Sequence, residues 1–296
     1  MADKTKIEWA DASWNPVTGC TKVSSGCKHC YAQREWPRLS ANPQTRYFER
    51  RFTEVACHPD VLLAPLRWRS PRRIFVNSMS DLFHEDIPDA FVDQVFAVML
   101  LSARHQFQVL TKRPGRMVEY FARDTLRKDI LRAADSWQDR FPRLPNVGIP
   151  DPGKHLPSWI WLGVSVEDHA TAEARIPLLL QTPATVRWIS AEPLLGPLRL
   201  DSSVVDWLRG PGSLDWVVVG GETGPSARPM HPAWARSLRD QCHMSGTAFF
   251  FKQWGEWAPT GGGPDGLAED ISRIGKRRAG RLLDGRLWGE YPERRP

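Results

Sequence analysis

No stretch of this sequence comes close to crossing a membrane. A spanning helix needs about 18 or more consecutive apolar residues, and the most apolar run, Phe91 to Leu101, is short and broken by Asp93 and Gln94. The first residues, MADKTKIEWADASW, lack the apolar centre of a secretory signal. Cysteine is scarce: five in 296 residues do not make a disulfide scaffold. The fixed periods of solenoid repeats are missing as well. Together these absences set the expectation of a cytoplasmic protein with no membrane partner, held together by an ordinary core.

The hydrophobic content, 41%, suffices for one large core or two modest ones. The formal net charge is +6, a basic balance that accommodates a polyanionic partner without requiring one. Part of it sits in residues 268–296, where eight Lys or Arg face five Asp or Glu; a solvated basic tail explains that equally well.

Short apolar segments recur at residues 12–17, 73–78, 107–111, 159–165, 186–190, 215–220 and 247–252. Most are continuous apolar runs rather than alternating ones, as in strands buried on both faces of a parallel sheet. Helical patterns separate several of them. One runs from Pro88 to about Ala103 with Phe91, Val95, Val98 and Leu101 on the helical period, another from Pro232 to Ser245 with a stop at Gly246, and a third from about Met117 to Gln138. The expected fold class is α/β, a (β/α) barrel, full or partial, or an open sheet. The expected organisation is a barrel over residues 1–258 with a Pro-rich loop insertion near 142–158. A Gly-rich linker at 259–267 and a basic C-terminal tail follow, with structure expected only at a turn in LDGRLW.

Three of the five cysteines lie within eleven residues. Cys20, Cys27 and Cys30 form C-x6-C-x2-C directly after the first expected strand. Thiolates are soft ligands that suit iron–sulfur clusters or zinc. A 4Fe–4S cube gripped by three thiolates keeps one iron without a protein ligand, free to bind a small molecule. The competing reading is a closed zinc site completed by His29 or another histidine. Such sites usually pair two knuckles, and no second cysteine pair is visible. Cys242 falls on an apolar helix face with Trp234 and Leu238, as a buried inert thiol would. Cys57 reads as a loop residue and His84 as an exposed loop histidine.

Polar residues gather after the expected strands. They are Asn77, Ser78, Ser80 and Asp81 after the second; Thr111, Lys112 and Arg113 after the third; Ser165 and Glu167 after the fourth; Ser190 and Glu192 after the fifth; Gly220, Gly221 and Glu222 after the sixth; and Lys252 and Gln253 after the seventh. In a parallel barrel these ends face one side, where active sites form, and the cysteine loop opens onto it too. Helix capping and loop hydrogen bonding account for about half of them taken singly. Lys112, Arg113 and Lys252 could hold a carboxylate or phosphate. Glu222, Lys112 and Lys252 are the candidate catalytic groups, and Trp254 and Trp257 a candidate base-stacking platform.

The cysteine loop resembles that of radical S-adenosylmethionine enzymes, with a departure: their commonest spacing is C-x3-C-x2-C, and here His29 fills the place of the usual aromatic. The resemblance implies that Cys20, Cys27 and Cys30 hold a 4Fe–4S cluster. Its free iron would chelate S-adenosylmethionine, which is cleaved to a 5′-deoxyadenosyl radical. It also implies a flavodoxin or ferredoxin as reducing partner, Asn77, Ser78 and Asp81 near the amino group of the methionine part, and Ser165, Glu167, Ser190 and Glu192 near its ribose or carboxylate. Gly220-Gly221-Glu222 echoes that superfamily's GGE motif but follows the sixth strand instead of the second, so no role is carried over.

A second resemblance covers nearly the whole chain. WNPVTGCTKVSSGCKHCYA, PRRIFVNSMSDLFHEDIP, QVLTKRPGRM, WLGVSVED, ISAEPLLGPL, VVVGGETG, FFFKQWGEW and GRLLDGRLW, in that order, are similar to a phage-associated family of uncharacterised function related to radical S-adenosylmethionine barrels. That association implies a nucleobase, nucleotide or DNA substrate, as in phage DNA modification or a lesion-repair lyase. The alternatives are a zinc- or cluster-stabilised nucleic-acid-binding module without turnover, and a metal-independent hydrolase using Glu192 or Glu222.

Overall fold

The structure, a computed structural model, describes residues 5, 7–138, 151–200, 206–210, 212–262 and 269–293. Its centre is a sheet of seven parallel strands: β1 (Ala12–Trp14), β2 (Arg73–Val76), β3 (Gln106–Thr111), β4 (Ile160–Ser165), β5 (Val186–Ala191), β6 (Trp216–Gly220) and β7 (Ala248–Gln253). They are ordered as in the sequence and curl into a half-barrel. No pairing joins β1 to β7 among the described residues. Parallel neighbours need crossover connections. The longer helices in them are α1 (Tyr31–Ser40), α2 (Asp89–Leu101), α3 (Pro114–Phe121), α4 (Leu126–Gln138), α5 (His169–Leu180) and α6 (Pro232–Ser245).

The continuous apolar runs follow from two cores. Side chains alternate across a strand. Ile74, Val76, Val217, Val219, Phe249 and Phe251 face the helices, while Phe75, Trp188, Trp216, Val218 and Phe250 fill the concave side. The ring of Trp9 lies 4.7 Å from Phe75, 5.3 Å from Trp188 and 5.9 Å from Trp216. One side chain can reach β2, β5 and β6 together only because the sheet is curled. This aromatic plug fills part of the concave face, and Trp9 and Phe75 form a wall of the cavity beside it. Trp9→Ala is expected to cost about 3–5 kcal/mol, read as a lower urea midpoint.

Two expectations need correction. The helix expected from Met117 to Gln138 is two helices, interrupted between Phe121 and Leu126. Met117, Tyr120 and Phe121 bury one face, and Leu126, Ile130 and Ala134 restart the apolar period. The second concerns the Gly-rich stretch. Its first residues belong to a strand, β8 (Trp257–Gly262), paired antiparallel with β9 (Glu269–Arg273). Residues 263–267 of that stretch lie outside the described residues, as do 142–150 of the Pro-rich loop.

The turn in LDGRLW is present: Leu282–Leu283 pairs with Arg286–Leu287 around Asp284 and Gly285, at φ 53° and 73°, the left-handed pair a tight hairpin demands. Trp288, Glu290 and Tyr291 tie the tail to the sheet. Phe251 N donates to Trp288 O at 3.0 Å, Trp216 Nε1 donates to Glu290 O at 2.8 Å, and Tyr291 stacks on Trp216 at 5.3 Å. Gly and Arg content suggested solvated chain, but partners far away in sequence supply the hydrogen bonds that order it. At the end of α6, Gly246 adopts φ 73°, the left-handed cap expected there.

Candidate functional site

At the C-terminal ends of the strands lies a cavity of about 480 Å³, within the range of small-molecule sites. The cysteine loop enters it from β1. Gly19 turns the chain at φ 88°, where an added Cβ would lie 2.4 Å from Glu54 O, so only glycine fits. A single 3-10 turn, Ser25–Cys27, follows, and Cys30 caps the start of α1. Cys20, Cys27 and Cys30 all line the cavity, each half-buried and unbridged. Burial pushes the Cys20 thiol up to about 12; Asp81, Cys27 and Cys30 add to this, against Arg113.

Two buried carboxylates hold the loop in place. Glu167, after β4, is fully buried. It accepts from Ser24 Oγ at 3.0 Å and Arg175 Nη1 at 3.2 Å, and Lys112 Nζ lies at 3.3 Å. Gly26 rests directly against it: a Cβ there would sit 2.4 Å from Oε1. Glu222, after β6, accepts from Arg228 through Nη2 at 2.6 Å, Nε at 2.8 Å and the backbone amide at 2.8 Å. Its Oε2 is 3.2 Å from His29 Nδ1, between the last two cysteines. Arg228 also donates to Ser25 O at 3.0 Å. Burial works to raise the Glu222 pKa, but the hydrogen bonds from Arg228 and His29 prevail and hold it below the usual range.

The remaining expected residues divide by what they touch. Asn77, Ser78 and Asp81 line the cavity. Asp81 is occupied: it accepts from Thr111 Oγ1 at 2.7 Å, Lys112 N at 2.9 Å and Phe83 N at 3.0 Å. Ser78 Oγ donates to Asn15 Oδ1 at 3.1 Å. Asn77 sits at φ 64°, and its Nδ2 is buried with no partner among the described residues. Ser165, Ser190, Glu192 and Lys252 line the cavity too, with Lys252 Nζ 2.8 Å from Glu192. Lys112 and Glu222 border it while engaged as described.

Some expected residues stand elsewhere. Glu167 lies behind the cysteine loop and is absent from the cavity lining. Arg113 binds Glu85 at 2.7 Å and Thr21 Oγ1 at 2.7 Å, bracing the loop from its outer side. Trp254 is buried against Phe251 and donates to Leu282 O, so it is packing and offers no face for base stacking. Trp257 donates to Ala227 O at 2.7 Å. His84 is buried, not exposed, and lies 2.8 Å from Thr21 Oγ1. Cys242 is fully buried, and Cys57 is away from the cavity. Arg34, Arg228, Glu8 and Lys276 escaped the sequence reading. Each stands on a segment with no strand end or motif to mark it.

The donor set is of the soft kind that iron–sulfur clusters and zinc both accept. Three soft thiols border one cavity, and no fourth borders it.

Buried histidines set an expected pH dependence. Burial lowers the pKa of His58 from 6.5 to about 4, with Arg46 adding to the effect. His84 and His105 are lowered by the same cause. Below 6.5 the unfolded chain takes up protons that the folded chain refuses. The stability these groups contribute is therefore complete above about pH 6.5 and is lost as pH falls toward 4. Thermal midpoints should drop between neutral and mildly acidic pH, and His58→Gln should shrink the drop.

A family model described as "Protein of unknown function (DUF5131)" matches residues 4–292, almost the whole chain. No curated protein and no solved structure is similar enough to count as a match.

Proposed function

The chain belongs to this family, and from that premise we propose that it is a radical S-adenosylmethionine enzyme with a 4Fe–4S cluster on Cys20, Cys27 and Cys30. Its substrate in this reading is a nucleobase or nucleotide, free or within DNA. A half-barrel of the radical S-adenosylmethionine type, a phage setting, a cytoplasmic location and a flavodoxin or ferredoxin as electron donor belong to the same proposal. The observation that carries it is that three thiols of one loop border one cavity, with no fourth thiol bordering it.

A 4Fe–4S cluster held by Cys20, Cys27 and Cys30 would supply the one-electron chemistry for reductive cleavage of S-adenosylmethionine. The chain's own residues bind, orient and neutralise. Glu167 and Glu222 fix the loop through Ser24, Arg228 and His29. Asn77 and Ser78 stand where β2 ends and would meet the amino group of the methionine part. Ser165, Ser190 and Glu192 offer acceptors to ribose hydroxyls or contacts to its carboxylate. Lys252 balances the Glu192 charge. Asp81 is committed to Thr111 and the Lys112 amide, so it orders the rim.

The test is anaerobic reconstitution with iron and sulfide, followed by dithionite and S-adenosylmethionine. The expected result is brown protein with about four irons per chain and slow release of 5′-deoxyadenosine. One zinc per chain, no colour and no 5′-deoxyadenosine would overturn the reading and favour a zinc-stabilised binding module.

A further inference from the structure

Two exposed arginines stand on one loop beside the mouth of the cavity. Arg34, on α1, is exposed and donates through Nη1 to Thr223 O at 2.7 Å. Arg273, ending β9, is exposed and donates through Nη2 to Gly224 O at 3.2 Å. Two guanidinium groups from opposite ends of the chain thus meet on neighbouring carbonyls of one loop. Gly224, at φ 107°, makes the approach possible, since a Cβ there would overlap Arg34 Nη1.

No carboxylate pairs with either arginine among the described residues. Glu222 is spent on Arg228 and His29, and Glu256 accepts from the Gly224 amide at 3.0 Å. Lys276 is exposed and loosely paired, 3.7 Å from Glu8. Arg34 and Lys276 both line the cavity.

A guanidinium has five donors in a planar fork. One donor on a backbone carbonyl orients the group and leaves the others for a ligand. Such forks match phosphate oxygens. A free base or an uncharged nucleoside would leave these donors to water.

We propose that Arg34, Arg273 and Lys276 form a phosphate-binding rim, so that the site takes a phosphorylated nucleoside or a single-stranded nucleic acid backbone rather than a free base or nucleoside. This deepens the reading of the site given above and names its substrate class. The phosphate sits at the mouth, on the side built by the C-terminal segment, and the base points inward.

The test is binding by the full chain of three probes: thymidine, thymidine monophosphate and a labelled single strand of about 12 nucleotides. Both phosphate-bearing probes binding and thymidine failing is the expected result. Binding of the monophosphate alone assigns the rim to a terminal phosphate, and binding of the strand alone assigns it to a backbone. Arg34→Gln and Arg273→Gln should each weaken binding about tenfold. Each should also flatten the salt dependence of strand binding by about 0.7 in log–log slope. Arg127→Gln, on α4, should change neither, and thermal midpoints check that the variants fold. Thymidine binding as tightly as its monophosphate, or Arg34→Gln and Arg273→Gln binding like the parent, would overturn the proposal. Iron content and 5′-deoxyadenosine release report separately on the cluster, so a chain that binds phosphate but holds no iron sinks that reading alone.

Discussion

Cys27→Ala should lose its iron and release no 5′-deoxyadenosine above background, while Cys242→Ala should match the parent in both. The contrast rests on placement. Cys27 lines the cavity, at the end of a 3-10 turn that Glu167 and Arg228 hold. Cys242 is fully buried in the core between α6 and the sheet. A cube gripped by two thiolates instead of three loses a bond that the protein cannot replace, since no further cysteine borders the cavity. Cys57 gives a second control, because it also stands away from the cavity. Equal iron in the Cys27→Ala variant and the parent would remove the thiol loop from the chemistry altogether.

Glu167→Leu should be the most disruptive single change outside the cysteines. It leaves Arg175 and Lys112 facing each other with no counter-charge, and it strips Ser24 of its acceptor. Breaking a buried ion pair by deleting one partner costs about 3–5 kcal/mol. The expected readouts are a lower urea midpoint and a loss of reconstituted iron at temperatures where the chain is still folded. Glu167→Gln keeps the shape and part of the hydrogen bonding, so it should recover some of both. Gly26→Ala attacks the same contact from the other side, since its Cβ must displace the Glu167 carboxylate. That variant should lose iron with a smaller change in midpoint. If Glu167→Leu lowered the midpoint but reconstituted as well as the parent, Glu167 would be a core ion pair without influence on the loop.

The candidate site was legible in outline because its chemistry is local. Three cysteines in eleven residues and polar residues after apolar runs are properties of short segments. The strand ends did converge on one cavity, since parallel strands in sequence order place their C-terminal ends together. Roles within the site were less legible. Asp81 and Glu167 looked alike in sequence, but the first borders the cavity while the second lies behind the loop. Arg228 and Ser25 are 203 positions apart, and nothing near either announces the other. Trp254 shows the choice a local reading leaves open: beside cationic residues it could stack or pack, and its ring is buried on Phe251.

By itself the sequence determined the parallel α/β architecture, the position of the cysteine loop after the first strand and the left-handed stop at Gly246. Hydrophobic period and glycine chemistry act over a few residues, so a linear reading recovers them. Only the tertiary structure decided that the sheet curls around Trp9, that the basic tail is stitched to β6 and β7, and that Glu167 and Glu222 serve the loop. Those outcomes depend on contacts between distant segments, where a buried charge or an unpaired backbone group must find its partner wherever the fold brings one.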